Sequence, residues 1–344
     1  MAVRDLTLLP KAHLHLHLTG GMRPATLVDL AREQGRSLPP ELLDPFGARV
    51  DVTARRGWPR FQRLYDAARE LVRGEVEVRR LIGEIAEDES AAGSGWCELQ
   101  VDPSSYATRL GGLNACVELV LDAMADAERA TGVGMALVVA GNRTRHAAEA
   151  ETLARLARRY AGRGVVGFGL SNDETRGDTA SFAKAFRIAR DAGLLAVPHA
   201  GELRGPRSVR AAVEALGARR LGHGVRAAED PALLEELAAA GVTCEVCPAS
   251  NDALGVLGLD RAPVRALRAA GVGVALGADD PLLFRSGLVA QYEGLRDRQG
   301  LTDDELADLA RSAVRGSTAP SDVGGRLLAG IDAWLAAPST PPPS

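Results

Sequence analysis

The chain has 344 residues, of which 46% are apolar, 25% charged and 4% aromatic, proportions that exclude a disordered or fibrous chain and allow a sizeable core. Against 45 Asp and Glu stand 41 Lys and Arg, and the resulting charge of −4 excludes the basic footprint of a nucleic-acid binder. No apolar run reaches the roughly 18 residues of a membrane helix, and four cysteines do not make a disulfide scaffold.

In chain order, short apolar runs at 8–18, 95–101, 134–140, 165–170, 194–199, 220–223, 242–247 and 272–277 read as strands. The apolar patch between Asp5 and Lys11 reads as too short for a secretory signal. The expected location is therefore the cytoplasm, with no membrane partner. Helical periodicity fills the gaps, as at 147–160 and 181–192, and Asp230-Pro231 and Thr302 with Glu305 are helix start signals. After the second strand the repeat is about 30 residues, one strand plus one crossover helix. Eight such units predict a (β/α)8 barrel. A doubly wound open sheet would carry a glycine-rich phosphate loop after an early strand, and none follows residues 8–18. The longer gap between the first two strands holds helical patterns at 24–34, 60–72 and 76–88. It reads as a helical insertion at about 24–92 on the active rim of one domain spanning 1–335. Residues 336–344, rich in proline, are expected to form a disordered tail.

Five of the six histidines fall on predicted strands. His13, His15 and His17 alternate with period 2, which points all three imidazoles into the barrel, with His15 and His17 nearer the active end as ligands and His13 deeper, as hydrogen-bonded structure. Inward imidazoles need partners, and a cation satisfies several at once. His199 with Glu202, His223 between two glycines, and Asp279-Asp280 close the fifth, sixth and eighth strands. Three imidazoles and a carboxylate on one rim suit a catalytic zinc. A nearby carboxylate can then shuttle protons and a further histidine can orient hydroxide.

The motif Pro10-Lys11-Ala12-His13-Leu14-His15-Leu16-His17-Leu18-Thr19-Gly20 resembles the opening of the adenosine deaminase family. His199-Ala200-Gly201-Glu202, Gly222-His223-Gly224, Cys247-Pro248-Ala249-Ser250-Asn251 and Asp279-Asp280-Pro281-Leu282 are similar to its later signatures, in the family's order. The resemblance implies one zinc per chain, held by His15, His17, His199 and Asp279, and hydrolysis of a 6-aminopurine nucleoside to the 6-oxopurine and ammonia. It makes Glu202 the proton donor to ring N1, gives His223 and Asp279 to the catalytic set, with His223 orienting the hydroxide, and has Asp280 hold N7. Two positions depart from the pattern. Thr19 stands where the adenosine enzymes have an aspartate for the ribose 5′-hydroxyl, and Asn172 stands where a glycine backbone meets the purine. Both bear on the sugar side of the substrate, so a 5′-modified adenosine, such as the aminodeoxyfutalosine of menaquinone synthesis, is an alternative. Arg109 or Arg204 would then meet its carboxylate. Trp58, Phe61, Leu64 and Tyr65, at helical spacing in the insertion, are expected to cover the substrate. Cys244 and Cys247 read as ordinary buried cysteines. A two-metal barrel hydrolase would want a lysine on the fourth strand, and no lysine lies between Lys11 and Lys184. A catalytically inactive purine-binding protein is the reading from another class.

Overall fold

The computed structural model describes residues 4–338. Eight strands run in sequence order and pair in parallel: β1 Lys11–His17, β2 Ser94–Val101, β3 Gly134–Asn142, β4 Val165–Ser171, β5 Leu195–Ala200, β6 Arg220–His223, β7 Thr243–Val246 and β8 Gly273–Leu276. Among the described residues, no helix is long and apolar enough to cross a membrane.

The strands alternate inward and outward positions, and crossover helices cover the outward ones. Leu137, Val139 and Phe168 are fully buried in the strand–helix layer, each contributing about 1.5–3 kcal/mol relative to exposure. Asp230 caps the helix Pro231–Ala239 through the N–H groups of Ala232 and Leu233. Thr302 and Glu305 form a capping box on Asp303–Gly316, a helix that packs across β8 and β1. Those two strands meet through a residue just beyond β8. Asp279 N–H donates to His15 O at 3.0 Å, and His17 N–H donates to Asp279 O at 3.1 Å.

Several expected boundaries move. The first strand starts at Lys11 rather than residue 8, because Pro10 has no N–H for the ladder and Leu8 is 69% exposed. The insertion holds helices Pro24–Glu33, Gly57–Arg69 and Glu75–Ala91. The second begins three residues early because Gly57 threads past residue 51, where a Cβ would lie 2.0 Å from the Asp51 carbonyl oxygen. The last helix, Ser321–Ala336, ends where the tail was expected to begin, and residues 339–344 lie outside the described residues.

Strict period 2 also fails in β1. The register breaks between His13 and Leu16. His13 consequently ties itself to the helix layer, with Nδ1 2.7 Å from Glu89 Oε1 and Nε2 accepting from Ala278 N–H at 2.9 Å. It does not join His15 and His17.

Deep in the barrel lies a closed set of charges. The Arg220 guanidinium sits 2.6 Å from Glu98 and 2.7 Å from Glu245, as ion pairs rather than well-angled hydrogen bonds. Trp96 Nε1 and the Thr318 N–H donate to Glu98. Glu245 reaches upward to His15 Nδ1 at 2.8 Å.

Candidate active site

The mouth of the barrel gathers the side chains expected there. His15, His199, His223 and Asp279 place candidate ligand atoms all within 4.8 Å of one another. His17 reaches the same carboxylate, with Nε2 3.2 Å from Asp279 Oδ1, while His15 Nε2 lies 3.4 Å from it. The His15 and His199 rings stand 4.6 Å apart. They can do so because residue 222 is glycine: a Cβ there would fall 2.9 Å from His15 Cε1 and 3.0 Å from His199 Nδ1. His223 and Asp279 leave their strands with φ of 64° and 62°, a left-handed turn uncommon for residues with a Cβ.

The donor chemistry fits one divalent cation. His15 Nε2 and His199 Nδ1 are buried without a hydrogen-bond partner, an arrangement unfavourable in a protein unless something accepts the lone pairs. Burial first, then the neighbouring imidazoles, push His199 well below its ordinary value, so its ring is neutral. Burial opposes ionisation of Asp279, but its contacts with His15 and His17 outweigh that and hold it as a carboxylate. For His15 too, burial is outweighed: the Asp279 and Glu245 carboxylates lift it to about 10.

Two further carboxyls behave in the opposite way. Glu202 is raised well above the usual glutamate range by burial and by the charges of Asp279 and Glu174. Asp280 is raised by burial and by Asp279 beside it. Burial thus favours the protonated form of both. Glu202 Oε1 lies 3.7 Å from His223 Nε2, and burial depresses that imidazole to about 3. The mouth therefore holds a carboxylate kept ionised, two carboxyls pushed toward their protonated form, and the neutral imidazoles of His199 and His223 in close quarters, the pattern of an acid–base site.

Residues that sequence reasoning passed over hold this set in place. Glu174 accepts four consecutive N–H groups, from Gly201 to Arg204, at 2.6–3.0 Å, and the Ser208 hydroxyl at 2.6 Å. The turn that carries Glu202 is thus wrapped around one carboxylate. Arg143, at the end of β3, donates to the His199 carbonyl. Ser250 donates to Asp279 Oδ2 at 2.6 Å, and Asn251 Nδ2 lies 3.3 Å from His223 Nδ1. Ser250 and Asn251 sit inside a motif quoted above, and Glu174 lies two positions beyond Asn172, which was the available signal. Arg143 had none.

Above the cluster opens a cavity. Its walls include His17, His199, Glu202, His223, Asp279 and Asp280, and its cover is the helix Gly57–Arg69. Trp58, Phe61 and Tyr65 face it, and Asn172 lines it from the end of β4. Leu64 packs into the apolar core instead. Thr19 is not among the lining residues. It is fully buried, with its hydroxyl 2.6 Å from that of Tyr106. Arg109 does not line the cavity either, because its guanidinium is spent on the carbonyls of Ser105 and Arg69. Arg204 donates to the Thr175 carbonyl. The arginine in the wall is Arg69, from the insertion. All four cysteines are buried and unpaired.

A family model described as adenosine deaminase matches residues 10–334. The chain belongs to the adenosine deaminase family. A putative adenosine/adenine deaminase of Streptomyces virginiae is 60% identical over 333 residues, covering 96% of this chain and 98% of that one. The crystal structure of an adenine deaminase from Arthrobacter aurescens superposes with a TM-score of 0.86 at 29% identity, covering 95% and 99%. An amidohydrolase from Burkholderia ambifaria, solved with bound Zn, gives 0.84 at 25% identity, covering 96% and 93%. As a member of the adenosine deaminase family this protein is a hydrolytic deaminase that acts on a purine C–N bond. The expectation of a barrel of this family holds, with the metal-type cluster at the C-terminal ends of its strands.

Proposed function

We propose that the protein is a zinc-dependent deaminase that replaces the 6-amino group of adenine with oxygen and releases ammonia, with the free base as the preferred substrate. The observation that carries this is a cavity floor complete for the N1, C6 and N7 edge of a purine, beneath a wall in which Asp102 and Ser105 are already hydrogen-bonded. Glu202, protonated and buried, donates to N1 and makes C6 electrophilic. Asp280, also protonated, donates to N7. His223, neutral, stands within reach of Glu202 to orient the attacking oxygen. His15, His17, His199 and Asp279 would hold the metal, and a bound divalent ion supplies hydroxide at neutral pH by lowering the pKa of water toward about 7. The zinc of the Burkholderia neighbour supports that identity.

The sugar side supports the base. Thr19 has its hydroxyl on Tyr106. Asp102 accepts from Ser104 and Ser105, and the Ser105 hydroxyl also accepts from Arg69. The names of the Streptomyces and Arthrobacter relatives include adenine. A benzoate-bearing nucleoside would want a free arginine, and Arg109 and Arg204 are both bound to carbonyls.

The test is a panel of adenine, adenosine, 5′-deoxyadenosines and aminodeoxyfutalosine, followed by loss of the 6-amino absorbance. Adenine is expected to give the highest kcat/KM, and activity removed by a chelator is expected to return with zinc. A nucleoside preferred over adenine overturns the substrate. Undiminished activity in metal-free protein overturns the chemistry.

A further inference from the structure

Asn172 ends β4 with φ 79°, a conformation that glycine adopts without strain and that asparagine accepts better than most side chains. Its amide is used at both ends. Oδ1 accepts from Trp58 Nε1 at 3.0 Å, and Nδ2 donates to Gln62 Oε1 at 3.0 Å. Oδ1 also takes the Asp173 N–H at 2.7 Å, which fixes the side chain against its own backbone. Trp58 and Gln62 are one turn apart on the helix Gly57–Arg69, and all three residues line the cavity. The result is a bridge from the barrel rim to the covering helix. Swinging it aside leaves two amides and an indole N–H unpaired in a half-buried position, which is unfavourable for each group left without a partner.

The purine's own geometry says what the bridge meets. With N1 at Glu202, C6 at the cluster and N7 at Asp280, the edge left facing away from the floor carries N3 and N9. A sugar on N9 would then point away from the floor, toward the space under the covering helix that Trp58, Gln62 and Asn172 line. The helix is held down at this point by aromatic packing, with Phe61 stacked parallel to Phe284 at 6.0 Å and Trp58 against Phe61 at 5.2 Å between ring centres.

We infer that Asn172, latched to Trp58 and Gln62, is a specificity-determining residue that closes the space a ribose on N9 would occupy and so selects adenine over its nucleosides. This rests on the reading of the substrate as a free 6-aminopurine. It goes further in assigning the discrimination to one side chain and two partners.

The experiment compares kcat/KM for adenosine and adenine in the wild type, Asn172→Gly and Trp58→Phe. Glycine suits φ 79°, so Asn172→Gly keeps the turn, and an unchanged melting temperature checks that the fold holds. Trp58→Phe keeps the ring on Phe61 and removes only the donor to Asn172. The adenosine-to-adenine ratio is expected to rise about tenfold or more in Asn172→Gly, the scale on which a pocket rejects a group by shape. A smaller rise in the same direction is expected for Trp58→Phe. If the wild type prefers adenine and neither variant moves the ratio, the latch is overturned while the substrate stands. If the wild type prefers adenosine, both fall.

Discussion

Two buried polar clusters share the interior of this barrel, and they resolve their charges in opposite ways. Deeper in, Arg220 lies between Glu98 and Glu245, and Thr318 and Trp96 complete the coordination of Glu98. Burial pushes Glu98 up, but Arg220 outweighs it and keeps the carboxylate ionised. At the mouth, carboxyls face one another and neutral imidazoles, with no arginine between them. Burial pushes Glu202 and Asp280 toward their protonated forms, and two imidazole nitrogens have no partner. A cluster that settles its charges internally is part of the fold. One that leaves protons and lone pairs uncommitted is equipped to act on something else. His15 joins the two, bonded below to Glu245 and facing Asp279 above.

The sharpest way to break this contrast is at the mouth. Glu202→Gln removes a proton donor and fills the same volume, so kcat/KM is expected to fall by about 10²–10⁴-fold, with bound metal and thermal melting unchanged. Steady-state kinetics alongside metal analysis check this. Because burial raises the Glu202 pKa, the proton-donating form persists to higher pH than for an exposed glutamate, and wild-type activity is expected to decline as pH rises through that raised pKa. A pH–rate profile whose alkaline limb is identical in Glu202→Gln would remove Glu202 from the role.

The deeper cluster should answer with stability. Arg220→Met leaves two buried carboxylates with no counter-charge, and urea unfolding is expected to show a loss of about 3–5 kcal/mol. Equal stability would mean that Glu98 and Glu245 can protonate without strain, and the distinction between the clusters would dissolve.

The smallest effect lies on the surface, where ion pairs differ from both. Glu305, hydrogen-bonded to Arg265 and in the capping box, is held at about 2. Its contribution is fully present above the ordinary glutamate value and is lost as pH falls through about 2. Glu305→Gln is expected to cost no more than about 1 kcal/mol at pH 7. The gap from wild type should narrow in urea titrations run at progressively lower pH.

The legibility of these regions in the sequence follows the same division. His15, His17, His199, Glu202, His223, Asp279 and Asp280 could be found because each sits at a strand end inside a short motif, and β-strand arithmetic puts strand ends on one rim. His13 obeyed the same period, and its deeper position marked it as hydrogen-bonded structure, which its contacts with Glu89 and Ala278 bear out. The latch was half visible. Asn172 stood out as a departure and Trp58 as part of a stripe, yet Gln62 was passed over, since it is 110 positions away from its partner. Arg109 was placed at the cavity by its proximity to β2, whereas the insertion supplies Arg69 to that wall from a helix that only the tertiary fold brings near.

Asp279 has one more consequence, because its backbone stitches the seam between the first and last strands while its carboxylate belongs to the cluster. During synthesis the three imidazoles at positions 15, 17 and 199 leave the ribosome long before it does. Until then they stand on an unsealed sheet without their anionic partner. Sealing the barrel and completing the cluster are thus a single late event, and a chain released short of that residue has neither.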